Sequence, residues 1–214
     1  TILWPAAASA EPTWSKIQAV TDWTQHSQKE HKDAGTVTVY RTVIDGTHCF
    51  QANATVDVAV DPMMEVAMDI EGTMAWATTA NVTKAGVLGR SGSRMDYYQL
   101  MDVPGWTMTK DRYWFLRGKV RNEGGSTAFT WEKLDDGGDY SAVYEAFVAA
   151  YPKAVEPPIN AGGWHFTPSG DDTEIRYYIC SDAGGTIPES VQVMATTSTL
   201  PDTVGDLVRE ARKR

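Results

Sequence analysis

Apolar and polar side chains alternate strictly over residues 49–60, which predicts a β-strand with two chemically different faces. The apolar face consists of Phe50, Ala52, Ala54, Val56, Val58 and Val60. The opposite face begins with Cys49 and is mostly polar. A strand that buries only one of its faces is typical of an antiparallel sheet that is covered on one side.

Further strand-like segments follow along the chain, separated by polar or glycine-rich turns. They cover residues 36–43, 83–90, 94–103, 111–120, 127–134, 164–167 and 173–181. The spacing of apolar residues predicts helices over 13–32, 63–70, 140–151 and from 187 to the end. The last helix has an apolar stripe of Val204, Leu207, Val208 and Ala211, and Pro201 is expected to break or restart it. This order predicts an α+β protein whose curved antiparallel sheet is covered by the C-terminal helix.

The composition excludes two classes of protein. The chain has 214 residues, of which 42% are hydrophobic, and its net charge is −9. No apolar run approaches the roughly 18 residues that a membrane-spanning helix needs. An acidic chain also lacks the basic surface that binds nucleic acid, so we expect no nucleic-acid partner.

The N-terminal residues 1–10 are expected to lie outside the folded domain, which then covers residues 11–214. Ala8-Ser9-Ala10 has the small-x-small form of a signal-peptidase site. The segment is therefore either the remnant of a signal peptide or a flexible leader. A signal peptide would place the protein in the periplasm or outside the cell, whereas a plain leader would leave it in the cytoplasm.

Residue types that catalyse reactions or bind metals form no pattern in this chain. His26 and His31 are five positions apart, which misses the i, i+4 spacing of metal ligands on a helix. The two cysteines make no Cys-x-x-Cys motif. The acidic clusters at 135–139 and 171–172 fall in predicted turns, where Asp is favoured for local hydrogen bonds. We therefore expect no metal, no cofactor and no catalytic residue.

Three segments carry a resemblance to a known family. Residues 103–116 contain a Pro-Gly-Trp sequence followed by Arg and aromatic residues, with Tyr113 where the family usually has Asp. Residues 162–164 are Gly-Gly-Trp, and residues 173–177 add the second strand of a hairpin. Residues 182–188 contain Gly-Gly-Thr-Ile-Pro before the last helix. In this order the segments resemble the bacterial type of StAR-related lipid transfer (START) domain, a member of the helix-grip superfamily.

The resemblance covers roughly residues 35–213 and implies a helix-grip fold, with one insertion at about 140–158. It also implies a deep apolar tunnel between the sheet and the C-terminal helix that holds one lipid or sterol-like molecule. The residues expected to contact this ligand are Ala52, Ala54, Val56, Tyr97, Tyr98, Arg112, Trp114, Leu116, Trp164, Phe166, Tyr177 and Met194.

Small residues on the predicted strands favour an open cavity over a filled core. Ala52, Ala54, Gly86 and Gly118 are expected to face aromatic side chains and to leave volume between them. A lipid-binding or lipid-transfer protein without enzymatic activity is the leading interpretation. The alternatives are a polyketide cyclase or aromatase of the same superfamily, and an interaction module whose sheet packs solidly.

Arg112 matches the family's arginine and has two interpretations. It either lies at the tunnel and anchors a polar group of the ligand, or it pairs structurally with Asp111 or Asp102.

The family fold also makes a prediction about the two cysteines. It places the strand that begins with Cys49 beside the strand that ends with Cys180, so the resemblance implies a disulfide between them on the convex surface. Closing a loop of this length would stabilise the fold by about 4–5 kcal/mol. The expected partner is a lipid or sterol-like molecule, with transient membrane contact during its exchange, and the protein is expected to be a monomer.

Overall fold

The computed structural model describes residues 13–103, 110–182 and 189–214, and within them nine strands form one antiparallel sheet. The strands are β1 (Thr24–His31), β2 (Gly35–Ile44), β3 (Thr47–Val56), β4 (Val82–Ser91), β5 (Arg94–Met101), β6 (Arg112–Glu123), β7 (Ser126–Lys133), β8 (Ile159–Ser169) and β9 (Asp172–Asp182). The helices are α1 (Trp14–Ala19), α2 (Val60–Met68), α3 (Thr73–Trp76), α4 (Ser141–Ala150) and α5 (Glu189–Ala211). The strand order is β1-β2-β3-β9-β8-β7-β6-β5-β4, which confirms the α+β class.

The long helix α5 covers one face of this sheet, which we call the inner face. It packs against β1, β2, β3 and α2. Val204, Leu207, Val208 and Ala211 of its apolar stripe are at most 2% exposed, as the sequence predicts. Phe50 and the other alternating apolar residues of β3 lie in the same core. The hydrophobic core therefore lies between the inner face and the helices α2 and α5.

The predicted helix over residues 13–32 is wrong beyond its first turns. α1 ends at Ala19, and residues 24–31 form the edge strand β1, which pairs antiparallel with β2. Almost every side chain of β1 is exposed. This polar run offers no apolar stripe that could hold a helix on the core, whereas an edge strand gains backbone hydrogen bonds while its side chains stay in water.

The predicted break at Pro201 is also wrong, because α5 continues through this residue. Leu200 and Val204, before and after the proline, are buried in the core. Their packing compensates for the backbone hydrogen bond that proline removes. No helix in the part of the chain that the structure describes is long and apolar enough to cross a membrane.

The outer face of the sheet is partly covered by α1, which lies over the two cysteines. Cys49 and Cys180 are cross-strand partners with a Cα–Cα distance of 4.2 Å, and a disulfide joins them. Trp14 and Ile17 of α1 belong to the same buried cluster. Both cysteines are 0% exposed, so the disulfide is present as predicted but is not at the surface.

A second cluster on the outer face is built around α4. Phe147 is buried against Leu100, Tyr113 and Phe115. These strand residues occupy the outward positions of β5 and β6, because they alternate with inward-facing neighbours. The segment predicted as an insertion at about 140–158 therefore places its helix on the outer face.

Candidate ligand cavity

A cavity of about 260 Å³ lies between the inner face of the sheet and the helices α2, α3 and α5. Its walls are largely apolar and include Leu116, Phe129 and Ile179 from the strands and Trp76 from α3. One water molecule occupies roughly 30 Å³ in the liquid, so this space is much larger than a packing defect. The protein's own side chains leave this part of the interior unfilled, which does not fit the solidly packed alternative.

Some of the predicted ligand residues line the cavity. They are Tyr97, Trp114, Leu116, Trp164 and Tyr177. Each occupies an inward position on β5, β6, β8 or β9, and the antiparallel pairing of these strands brings them together. The rings of Trp164 and Tyr177 are 4.2 Å apart between centroids and form one continuous aromatic wall.

Other predicted ligand residues are buried beside the cavity and do not line it. Ala52, Ala54 and Val56 of β3 lie in the inner core, where α5 packs directly on the sheet. Phe166 is 0% exposed and its ring lies almost parallel to that of Trp164, 6.3 Å away between centroids. These residues belong to the core beside the cavity wall.

The small residues leave less space than their size suggests. A Cβ atom added at Gly118 would lie 2.7 Å from the ring of Phe129, and one added at Gly86 would lie 2.8 Å from Tyr98. At both glycines, a neighbouring aromatic ring fills the space that a side chain would occupy. Tyr98 follows Tyr97 directly on β5, so it points to the outer face and packs in the α4 cluster. The prediction that Tyr98 lines the cavity is wrong.

Met194 and Arg112 also lie outside the cavity wall. Met194 is on α5 and is 64% exposed. Arg112 is 5% exposed and donates a hydrogen bond to the main-chain carbonyl of Lys110. Burial lowers the pKa of its guanidinium, although Asp111 acts in the opposite direction. This hydrogen bond fixes the start of β6. The position of Arg112 therefore fits the structural interpretation better than the interpretation in which it anchors a ligand.

Several polar residues that the sequence analysis missed do line the cavity. Gln99 donates from Nε2 to the Thr73 hydroxyl at 3.1 Å, and that hydroxyl donates to the carbonyl of Ile70 at 2.5 Å. Asn160 accepts a hydrogen bond from the indole nitrogen of Trp131 at 2.9 Å. Gln99 could have been found from its alternation with Tyr97, but α3 is too short to show a periodic signal.

Asp206 is a cavity-lining carboxylate on α5, and its oxygens are fully engaged. It accepts hydrogen bonds from the Thr78 hydroxyl and from both the backbone nitrogen and the hydroxyl of Thr79, each at 2.8 Å. Arg209 forms an ion pair with it at 2.6 Å. Burial alone would raise the pKa of Asp206, but these hydrogen bonds outweigh it and hold the pKa below its usual value. The carboxylate is therefore ionised, and Arg209 balances its negative charge.

Two tyrosines and the indole nitrogen of Trp114 add further polar groups to the cavity, and this nitrogen is buried without a hydrogen-bond partner among the described residues. Burial raises the pKa of Tyr97, and the nearby Tyr177 raises it further. Burial also raises the pKa of Tyr177. Both phenols are therefore neutral over the physiological pH range. Such groups can donate to or accept from a ligand, but they supply no negative charge.

Comparison with solved structures identifies the fold. The chain resembles the STAR-related lipid transfer protein from Xanthomonas axonopodis with a TM-score of 0.70 and 19% identity, over 89% of this chain and 98% of that one. It resembles human StAR-related lipid transfer protein 5 with a TM-score of 0.73 and 14% identity, over 93% and 91% of the two chains. The chain has the START-domain fold.

The START-like fold also occurs in an enzyme. The Zhui aromatase/cyclase from Streptomyces sp. R1128 matches with a TM-score of 0.52 and 15% identity, over 78% of this chain and 95% of that one. No protein-family model matches the sequence, and no curated protein matches it. The assignment of the START-like fold therefore depends on the three-dimensional likeness and on the helix-grip architecture itself.

The START-like domain shows no metal centre in its described ranges. No group of three or more His, Cys, Asp or Glu side chains comes together there in a way that could hold an ion. Among the described residues that line the cavity, the titratable side chains are Tyr97, Tyr177 and Asp206. The pKa values of the two phenols are raised and that of the carboxyl is lowered. All three pKa values therefore lie farther from neutral pH than usual.

Proposed function

We propose that this START-like domain binds, and transfers, one hydrophobic small molecule of the lipid or sterol-like kind in the cavity under α5. The observation that carries the proposal is an unfilled space of about 260 Å³ with an aromatic wall. An apolar ligand placed there would be removed from water, which is worth roughly 25 cal/mol for each Å² of apolar surface. The likeness to lipid transfer proteins in Xanthomonas and human supports this proposal.

Binding without catalysis agrees better with the cavity than a cyclase reaction does. A general acid or base works best when its pKa lies near the working pH. The lining tyrosines and Asp206 have pKa values shifted away from that range. The likeness to an aromatase/cyclase supports the enzymatic alternative, but no described residue that lines the cavity favours it.

We also propose that the protein works in an oxidising compartment, the periplasm or the extracellular space. The buried Cys49–Cys180 disulfide supports this location, because such bonds persist mainly outside the cytoplasm. The protein would then exchange its ligand as a monomer, in transient contact with a membrane.

Titration with N-phenyl-1-naphthylamine, an uncharged fluorescent probe, tests the proposal. We expect a saturable increase in fluorescence with one probe per chain. The substitution Ala77→Phe adds a ring at a residue that lines the cavity, so it should abolish the signal. Ala149→Phe introduces the same ring at an exposed position of α4 and should leave binding unchanged.

Thermal unfolding of both variants serves as the control for folding. If Ala77→Phe is folded and binds the probe as the wild type does, the ligand site lies elsewhere. If the wild type binds neither this probe nor any lipid from a total extract, the proposed function is wrong.

A further inference from the structure

The size of the cavity limits the ligand. Pockets that hold drug-sized molecules typically begin at roughly 300 Å³. The space of about 260 Å³ in this protein is slightly smaller. A space of this size would not wholly enclose a phospholipid with two acyl chains or an intact sterol with its side chain. The cavity therefore suits a compact molecule of two or three fused rings, or a short branched chain.

The charges around the cavity limit the ligand further. Asp206 is the one acidic side chain among the described residues that line it, and Arg209 and the hydroxyls of Thr78 and Thr79 neutralise it. No Lys, Arg or His is among those lining residues. A carboxylate or phosphate on a ligand would find no positive charge among the described lining residues, and an ammonium group would find only Asp206, which is already paired with Arg209. Burying an unpaired charge is costly.

The remaining polar groups are neutral hydrogen-bonding groups. Tyr97 and Tyr177 line the cavity, and within the described ranges neither hydroxyl forms a hydrogen bond with another residue. Tyr97 is only 3% exposed, so a ligand oxygen is the natural partner for its hydroxyl.

We infer that the ligand is a compact, uncharged molecule with one oxygen function, such as a ketone or a hydroxyl group, that forms a hydrogen bond with the hydroxyl of Tyr97 or Tyr177. This inference rests on the proposed function and narrows it. The inference predicts that fatty acids bind weakly because of their charge, and that phospholipids and intact sterols bind weakly because of their size. The apolar wall of Trp114, Leu116 and Trp164 contacts the rings of the ligand.

Three naphthalenes of similar size test the inference by isothermal titration calorimetry. 2-Acetylnaphthalene carries a ketone, 2-naphthoate carries a carboxylate, and 2-ethylnaphthalene carries no oxygen. The ketone should bind about tenfold more tightly than the ethyl compound, which corresponds to one well-formed hydrogen bond. The carboxylate should bind at least about tenfold more weakly than the ketone because its charge is unpaired.

The double variant Tyr97→Phe/Tyr177→Phe should remove the preference for the ketone, so that 2-acetylnaphthalene and 2-ethylnaphthalene bind with similar affinity. Tyr98→Phe is the matched control, because Tyr98 is on the same strand but packs on the outer face. Equal affinity for ketone and carboxylate, or an unchanged ketone preference in the double variant, would overturn the inference.

Parallel titrations with cholesterol and with dioleoylphosphatidylcholine vesicles separate the inference from the proposed function. If either lipid binds in the cavity while the three naphthalenes do not, the inference is wrong but hydrophobic ligand binding stands. If no compound binds, both are wrong.

Discussion

Two adjacent glycines decide how closely the cavity wall packs against the rest of the sheet. A Cβ atom at Gly162 would lie 2.3 Å from the backbone oxygen of Tyr178 and 2.8 Å from the ring of Trp131. One at Gly163 would lie 2.7 Å from the ring of Trp14. The Gly-Gly-Trp sequence thus allows a tryptophan of the cavity wall on one face and α1 on the other. The sequence shows the motif, but only the structure shows these contacts.

Replacing Asp206 with Asn tests the polar network that joins α5 to residues 78 and 79. The carboxylate accepts hydrogen bonds from Thr79 and pairs with Arg209, whereas an amide would turn one NH₂ group towards these donors. We expect the free energy of unfolding to fall by about 2–3 kcal/mol in urea denaturation at pH 7. Asp202→Asn, in an exposed ion pair, should cost less than about 1 kcal/mol.

The effect of Asp206→Asn should also depend on pH. Since the folded-state pKa of Asp206 lies below its ordinary value of 3.8, the ionised carboxylate stabilises the protein fully above that pH. This contribution is lost as the pH falls through the folded-state pKa. The difference between wild type and variant should therefore be constant from pH 5 to 7 and shrink below pH 3.8. A difference that stays constant down to pH 2 would contradict the role of Asp206.

Secondary elements with a strict pattern are the ones that the sequence predicts well. The alternating strands and the apolar stripe of α5 are found in place because each pattern specifies a buried face. The exception is the end of the strand predicted over residues 49–60, since β3 ends at Val56 and α2 begins at Val60.

The sequence predicts a helix over β1 because the helical spacing of Trp14, Ile17 and Trp23 leads into this polar run, which has no period of its own. The pairing of β1 with β2 is a long-range effect that the pattern does not show. The helix α3 has no detectable pattern because its four residues are too few to show a period.

Helix α4 is expected to stabilise the outer face without affecting the ligand. Phe147 packs against Tyr113 and Phe115 with ring centroids 5.2 and 5.5 Å away. Phe147→Ala should lower the free energy of unfolding by about 3–5 kcal/mol. The affinity for N-phenyl-1-naphthylamine should not change, because the cluster and the cavity lie on opposite faces.

A partly exposed residue of the same helix, Val148, provides the control. Val148→Ala should lower the free energy of unfolding by less than about 1 kcal/mol. If Phe147→Ala abolished probe binding while the protein stayed folded, α4 would belong to the ligand site and this assignment would be wrong.

The molecule as a whole combines a predictable frame with a site that could only partly be predicted. Inward positions on neighbouring strands identified Tyr97, Trp114 and Tyr177 as lining residues. The cavity is closed, however, by residues from α2, α3 and α5, which approach the sheet only in the folded protein. Ala52 and Ala54 of β3, in contrast, are buried in the core that α5 covers, and they do not line the cavity. Sequence pattern shows which face is inside, but not where that interior is filled.

Native mass spectrometry after exposure to a total lipid extract tests the central claim most directly. The wild type should carry one small molecule per chain, of a mass that fits a cavity of about 260 Å³, and lose it on denaturation. Folded Ala77→Phe should show the ligand-free mass alone. If the wild type stays ligand-free throughout, or the variant carries the same adduct, the START-like domain does not hold its ligand in this cavity.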